Sequence, residues 1–206
     1  MESAVSMDYA EIIYVIVGAA LGFLASILTI IVQRALDRSG KLNIFYRLTN
    51  SRGFHGGWGF EKDCSGKVDF SVPVVYEIQN LSNTTRVVRD VSVLLYKDNN
   101  FVEKMIQLDH LEITHKKGKE ITGKDDFYFG TDKGSYSFVI PPRSIARQEC
   151  EYLSIIDKDK VLNGYFNNIR IRYYDEKNRE KIYRIRDIEF QELKTYEIDK
   201  DWIILK

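Results

Sequence analysis

The chain is poor in proline, with 3 residues in 206, and has only two cysteines, Cys64 and Cys150. Cysteines so few and so far apart form neither the close pair of a zinc site nor a redox motif. A reduced compartment is the simpler reading, and a single bridge between the two stays open if the domain faces an oxidising space. Charge of one sign is missing as well: 30 Lys and Arg balance 30 Asp and Glu. No whole-chain field points to nucleic acid, and none is expected as a partner. Catalytic signatures are absent too, with no GxSxG elbow and no HExxH pair. The histidines are His55, His110 and His115, and nothing in their spacing requires them to meet a carboxylate or a thiol. Neither catalysis, a metal nor a cofactor is expected.

What is present begins with an uncharged run of about 21 residues, IIYVIVGAALGFLASILTIIV at 12–32. At 1.5 Å per residue it matches a hydrocarbon core of about 30 Å. The expected layout is a short extracytoplasmic N-terminus (1–11), a transmembrane helix (12–33), a basic link (34–40), a β domain (41–190) and a C-terminal tail (191–206). Glu2, Asp8 and Glu11 precede the run without any basic residue, unlike the basic start of a signal peptide. Arg34, Arg38 and Lys41 follow it, which places the β domain on the cytoplasmic side of a single-pass cell-membrane protein. Gly18 and Gly22 form a GxxxG pair extended by Ser26, spacing that lets two helices approach and form a homo-oligomer, although Gly is common in membrane helices anyway. The glycosylation patterns at Asn80 and Asn83 read as turn residues.

Beyond the helix the hydrophobic period switches to two. Leu42, Ile44, Tyr46 and Leu48 alternate with other residues, as do Val68, Phe70, Val72, Val74, Tyr76 and Ile78. Pro73 interrupts the second segment, which predicts an edge or bulged strand. Further strands are expected at 87–96, 101–108, 136–140 and 145–153, and a hairpin at 169–188 across a polar turn. About seven or eight strands without a long helical pattern predict a mainly β domain, an antiparallel sandwich or alternatively a small barrel.

Three features could carry chemistry. GKEITGK at 118–124 fits GxxxxGK, but Asp125 stands where a magnesium-binding Ser or Thr belongs and no helix follows, so a basic surface loop is expected. Trp58 and Phe60 lie in a Gly-rich stretch, either as loop contacts for a ligand or partner or as a cap on the core. In the hairpin, Arg170, Arg172, Arg184 and Arg186 would share an outer face if Ile171, Tyr173, Tyr183 and Ile185 turn inward. Like charges so placed require an anion over them, either acidic neighbours such as Glu149, Glu151 or Asp187, or an external lipid phosphate or nucleotide.

The segments VPVVYEIQNLSNTTRVVRDVSVLLY, YSFVIPPRSI and IRIRYYDEKNREKIYRI resemble Ig-like domains of bacterial single-pass membrane proteins, over about half the chain. The resemblance implies an Ig-like sandwich and no named activity. Usage rich in Lys, Ile, Asn and Tyr hints at an AT-rich bacterial or prophage gene. Two functions follow as expectations. One is a non-catalytic interaction module binding an unidentified protein partner beneath the lipid bilayer. The other is a ligand-gated effector sensing a small anion, similar in layout to membrane β-barrel effectors of antiphage systems. A filled sandwich core would favour the first, and a polar Arg-lined barrel interior the second.

Overall fold

The computed structural model describes residues 9–51, 57–62, 66–117, 120–130, 136–188 and 193–206. The apolar run lies in one helix, α1 (Tyr9–Arg38). The stretch Ile12–Asp37 is long and apolar enough to cross a membrane, and none of it is buried by the rest of the chain. Its serine and threonine hydroxyls need no outside partner: Ser26 Oγ donates to Gly22 O and Thr29 Oγ1 to Ala25 O, both at 2.8 Å. In lipid, where no water is at hand, this satisfaction within the helix matters.

The strands follow as β1 (Leu42–Leu48), β2 (Trp58–Lys62), β3 (Lys67–Asn80), β4 (Arg86–Lys97), β5 (Asn100–Lys104), β6 (Ile106–Lys117), β7 (Glu120–Gly130), β8 (Tyr136–Ile140) and β9 (Ser144–Asp157). A short helix α2 (Lys158–Leu162) precedes β10 (Asn168–Tyr174), β11 (Glu180–Asp187), β12 (Thr195–Tyr196) and β13 (Ile203–Ile204). They form two antiparallel sheets. The first has eight strands in the order β12-β2-β3-β9-β6-β7, with β1 beside β3 and β13 beside β1. The second has five, in the order β11-β10-β4-β5, with β8 also on β4.

Period-two alternation builds the interior. Val68, Phe70, Val72, Val74, Tyr76 and Ile78 of β3 are at most 1% exposed and pack with Val91, Val93 and Leu95 of β4 and Ile169 and Ile171 of β10 in one core. Each such side chain contributes about 1.5–3 kcal/mol by leaving water. The result is a filled sandwich. Polar atoms inside it find partners in one chain of bonds: Tyr76 and Tyr152 hydroxyls meet at 3.2 Å, and Tyr152 Oη and Gln107 Nε2 both donate to Val91 O.

Three expectations change. β3 is central, flanked by β9 on one side and by β1 and β2 on the other. Pro73 is tolerated because β2 pairs only as far as Ser71 and β1 begins at Val74. Pro73 O accepts from Thr49 N on that side, so the missing N–H faces the seam between two partner strands. The strand expected at 101–108 is divided at buried Met105, whose N–H donates to Val93 O: β5 stays in the second sheet and β6 joins the first. The segment set apart as a tail supplies β12 and β13 to the first sheet.

Candidate functional site

The β10–β11 hairpin turns where Asp175 Oδ1 accepts the N–H groups of Lys177 and Arg179 at 2.9 and 3.0 Å. Its register sets Arg170 opposite Arg184 and Arg172 opposite Ile182, but a bulge after Ile169 shifts Arg186 opposite buried Ile169. The four arginines therefore do not share one face. Arg186 instead reaches the first sheet, donating to Asp199 and to Tyr46 Oη.

Each of the other three finds a partner within the chain. Arg172 donates to Asp90 Oδ2 at 2.7 Å and lies 3.8 Å from Glu180. Arg184 donates to Asp187 through Nε at 2.6 Å. Arg170 stacks 4.0 Å from the Tyr96 ring centroid and donates to Asp98 O, Asn99 Oδ1 and Asn168 Oδ1. Of the acidic neighbours expected, Asp187 acts as such. Glu149 and Glu151 belong to β9 in the other sheet, where Glu151 accepts from Ser51 and Ser71.

Trp58 and Phe60 lie in β2 and are 4% and 3% exposed. Trp58 stacks on Tyr196 at 4.4 Å and donates Nε1–H to Glu197 O, while Phe60 packs between Phe70 and Phe166. Both side chains close the core. Gly59 has φ +127°, and a Cβ there would stand 2.7 Å from Lys194 O, so only glycine lets the C-terminal segment lie against β2.

That segment builds a groove that sequence reasoning missed. Arg47, Thr49, Asn50, Val75, Glu149 and Asp199 line a cavity of about 360 Å³ on the outer side of the first sheet. Beside it Trp202 lies 5.1 Å from the Arg47 guanidinium and 5.5 Å from that of Arg147. Arg47 Nε is buried without a hydrogen-bond acceptor. One cation, two carboxylates, an amide and two aliphatic side chains line this groove, a lining suited to a polypeptide more than to a single small anion. The apolar WIIL at 202–205 was the available signal.

No group of three or more His, Cys, Asp or Glu side chains placed to hold a metal ion occurs among the described residues. Cys150 is a free, buried thiol, and burial pushes its pKa far above the ordinary range, which makes a poor nucleophile. Burial likewise raises Tyr76 and Tyr152. Of the GxxxxGK pattern, residues 120–124 run in strand β7, with Gly123 opposite His115, where a basic loop was expected. His110 and His115 sit on β6, while His55 and Cys64 lie outside the described residues. In α1, nothing lies within 4 Å of a Cβ built at Gly18 or Gly22, and Ser26 is exposed. Comparison of the chain with protein-family models, curated proteins and solved structures returned no match.

Proposed function

We propose that the chain is a membrane-anchored, non-catalytic interaction module of a bacterial cell. In this reading α1 spans the membrane, the sandwich, Ig-like in kinship, stands on the cytoplasmic side, and its outer surface binds a protein partner. One observation carries the reading: the interior is filled by apolar side chains, and all four hairpin arginines are engaged within the chain. A sensor of small anions built on this hairpin needs a polar cavity in the interior with hairpin arginines to spare. Arg34, Arg38 and Lys41 at the end of α1 support the cytoplasmic placement.

The test is photo-crosslinking in intact cells from positions in the groove, Asn50 and Ile198. A discrete adduct with a second protein, lost in an Arg47→Ala variant, is the expected result. No adduct, together with a nucleotide or other anion retained by the purified full chain in native mass spectrometry, would turn the assignment to a ligand-gated effector. Labelling of a cysteine placed at Lys177 by an impermeant reagent in intact cells would reverse the topology.

A further inference from the structure

The junction between α1 and the sandwich is rigid. Only Ser39 to Lys41 separate the end of α1 from β1, and the β3–β4 turn is bonded to this passage. Asn83 donates its N–H to Asp37 O at 3.1 Å and its side-chain amide to Asp37 Oδ1 at 3.2 Å. Leu81 N donates to Lys41 O, and Arg86 Nη2 donates to Gly40 O. A Cβ at Gly40 would stand 2.3 Å from Leu81 O and from the Ser82 backbone, so turn and helix exit touch main chain to main chain. Asn80 locks the turn from beneath: its amide is fully buried and donates to Thr84 O, Ile140 O and Pro141 O while accepting from Ser82.

This rigidity fixes the depth of the turn. Asp37 lies five residues past the end of the apolar run, about 8 Å along the helix axis. The headgroup layer occupies roughly 5–8 Å outside the hydrocarbon on each side. The Leu81–Asn83 turn, tied to Asp37, is therefore held at headgroup level. Leu81 is 57% exposed there, and Ile145, next to the neighbouring β8–β9 turn, is 62% exposed. Arg143, in a left-handed conformation with φ +48°, donates its N–H to Ser82 O and stands exposed. The 175–179 turn reaches the same end, because Arg86 contacts both Glu176 and Gly40. Lys41, Arg143 and Lys177 are exposed and make no ion pair with any described residue, and Arg143 Nε donates to Asn83 Oδ1, which holds its guanidinium beside the turn. Apolar tips among cations without carboxylate partners at this depth suit lipid phosphate and the upper acyl chains.

We infer that this end of the sandwich is a seat for anionic lipid headgroups, with Leu81 dipping into the interface and Lys41, Arg143 and Lys177 on the phosphates. The inference rests on the membrane-spanning reading of α1. The seat holds the domain in one attitude against the membrane.

The experiment uses the full chain carrying Cys64→Ser in nanodiscs of phosphatidylcholine with or without phosphatidylglycerol. A fluorophore is placed in turn at Leu81→Cys, at Leu24→Cys within the apolar run, and at Asn99→Cys in the β4–β5 turn at the opposite end. Quenching by nitroxides on lipid headgroups, or mid-chain for Leu24, is read. The expected result is quenching at Leu81 several-fold above Asn99, falling about twofold or more without phosphatidylglycerol or with Lys41→Gln, Arg143→Gln and Lys177→Gln together. Quenching at Leu24 with Leu81 no higher than Asn99 overturns the seat alone. Quenching at Leu81 that ignores both lipid charge and the triple substitution overturns its anionic character. Absence of quenching at Leu24 removes the membrane-spanning reading and the seat with it.

Discussion

Asp90 and Arg172 lie 2.7 Å apart, joined across the second sheet by a defect in β4. The register of β4 against β8 shifts between Val88 and Val91, and Asp90 takes a left-handed φ of +50°. Its N–H donates to Ser137 Oγ, and its carboxylate meets Lys104 at 3.1 Å as well as Arg172. One acidic side chain at a bulge thus answers two cations from neighbouring strands, which is how the arginine-rich hairpin avoids an exposed field of one sign.

Arg172 and Arg184 should therefore behave differently. The Arg172 side chain is 19% exposed and its partner 27%, so Arg172→Ala removes a charge-assisted bond and leaves Asp90 underpaired. The expected cost is about 2 kcal/mol, or roughly 4–8 °C in Tm. Arg184 and Asp187 are 53% and 66% exposed, and Arg184→Ala should cost about 0–1 kcal/mol. Thermal unfolding of the detergent-solubilised chain measures both. Equal or greater stability of Arg172→Ala would mean that an external anion, not Asp90, is its natural partner.

How far the sequence carried the reading varies by element. The alternation through Val68 to Ile78 was legible because one face of β3 is buried along its whole length. Pro73 misled, since the seam that accommodates it is set by where β1 and β2 each stop pairing with β3, which strand patterning does not show. Trp58 and Phe60 were ambiguous because β2 is short and its burial depends on Tyr196 and Phe166, distant in sequence. The Asp90 bulge left a trace: Val88 and Val91 are both buried but three residues apart, a break in period two. Of the arginines' partners Asp187 was legible, three residues from Arg184, whereas Asp90 and Asp199 reach Arg172 and Arg186 only through tertiary register.

Acid should weaken the hairpin. Burial alone would raise the Asp175 carboxyl, but hydrogen bonds from the Arg179 side chain and from the N–H groups of Arg179 and Lys177 outweigh it and hold the pKa below the ordinary value. Bonds from Gln79 and then Arg147 lower Glu77 in the same sense. Folded carboxyls with depressed pKa values bind protons less readily than unfolded ones, so stability rises with pH across that window. It is fully present above about pH 4 and is lost as the pH falls through the folded values. Asp175→Asn should lower Tm at pH 7 and flatten its decline below about pH 4, seen by comparing melts at pH 7 and pH 3.

Asp199 anchors the C-terminal segment. Its N–H donates to Leu48 O at 3.0 Å, its Oδ2 accepts from Leu48 N at 2.9 Å, and its other oxygen takes Arg186 from the opposite sheet. Asp199→Ala leaves a buried N–H and a partly buried guanidinium without that acceptor, at a cost of about 2–4 kcal/mol. Hydrogen exchange should quicken at 195–204 and at 44–48, with β10 unaffected. Asp199→Asn, which keeps the acceptor for Leu48 N but loses the charge, should fall between. Uniform quickening across both sheets would show that the segment is not a separate unit.

The small residues of α1 make the last prediction. In the membrane-spanning reading, Gly18, Gly22 and Ser26 lie four residues apart each, and such a stripe lets a second copy of the helix approach closely. Within one chain, a Cβ at Gly18 or Gly22 meets nothing beyond the helix's own backbone within 4 Å. Gly18→Leu with Gly22→Leu is therefore free of steric cost in the isolated helix, and leucine also favours helix over glycine by about 0.5–1 kcal/mol per residue. Any loss must come from contact between copies, where the branched side chains hold the backbones apart. The expected outcome is a severalfold weaker signal for the double variant in a membrane two-hybrid assay of α1, at equal membrane insertion. An unchanged signal would mean that the glycines are incidental and that any self-association of the chain runs through the sandwich.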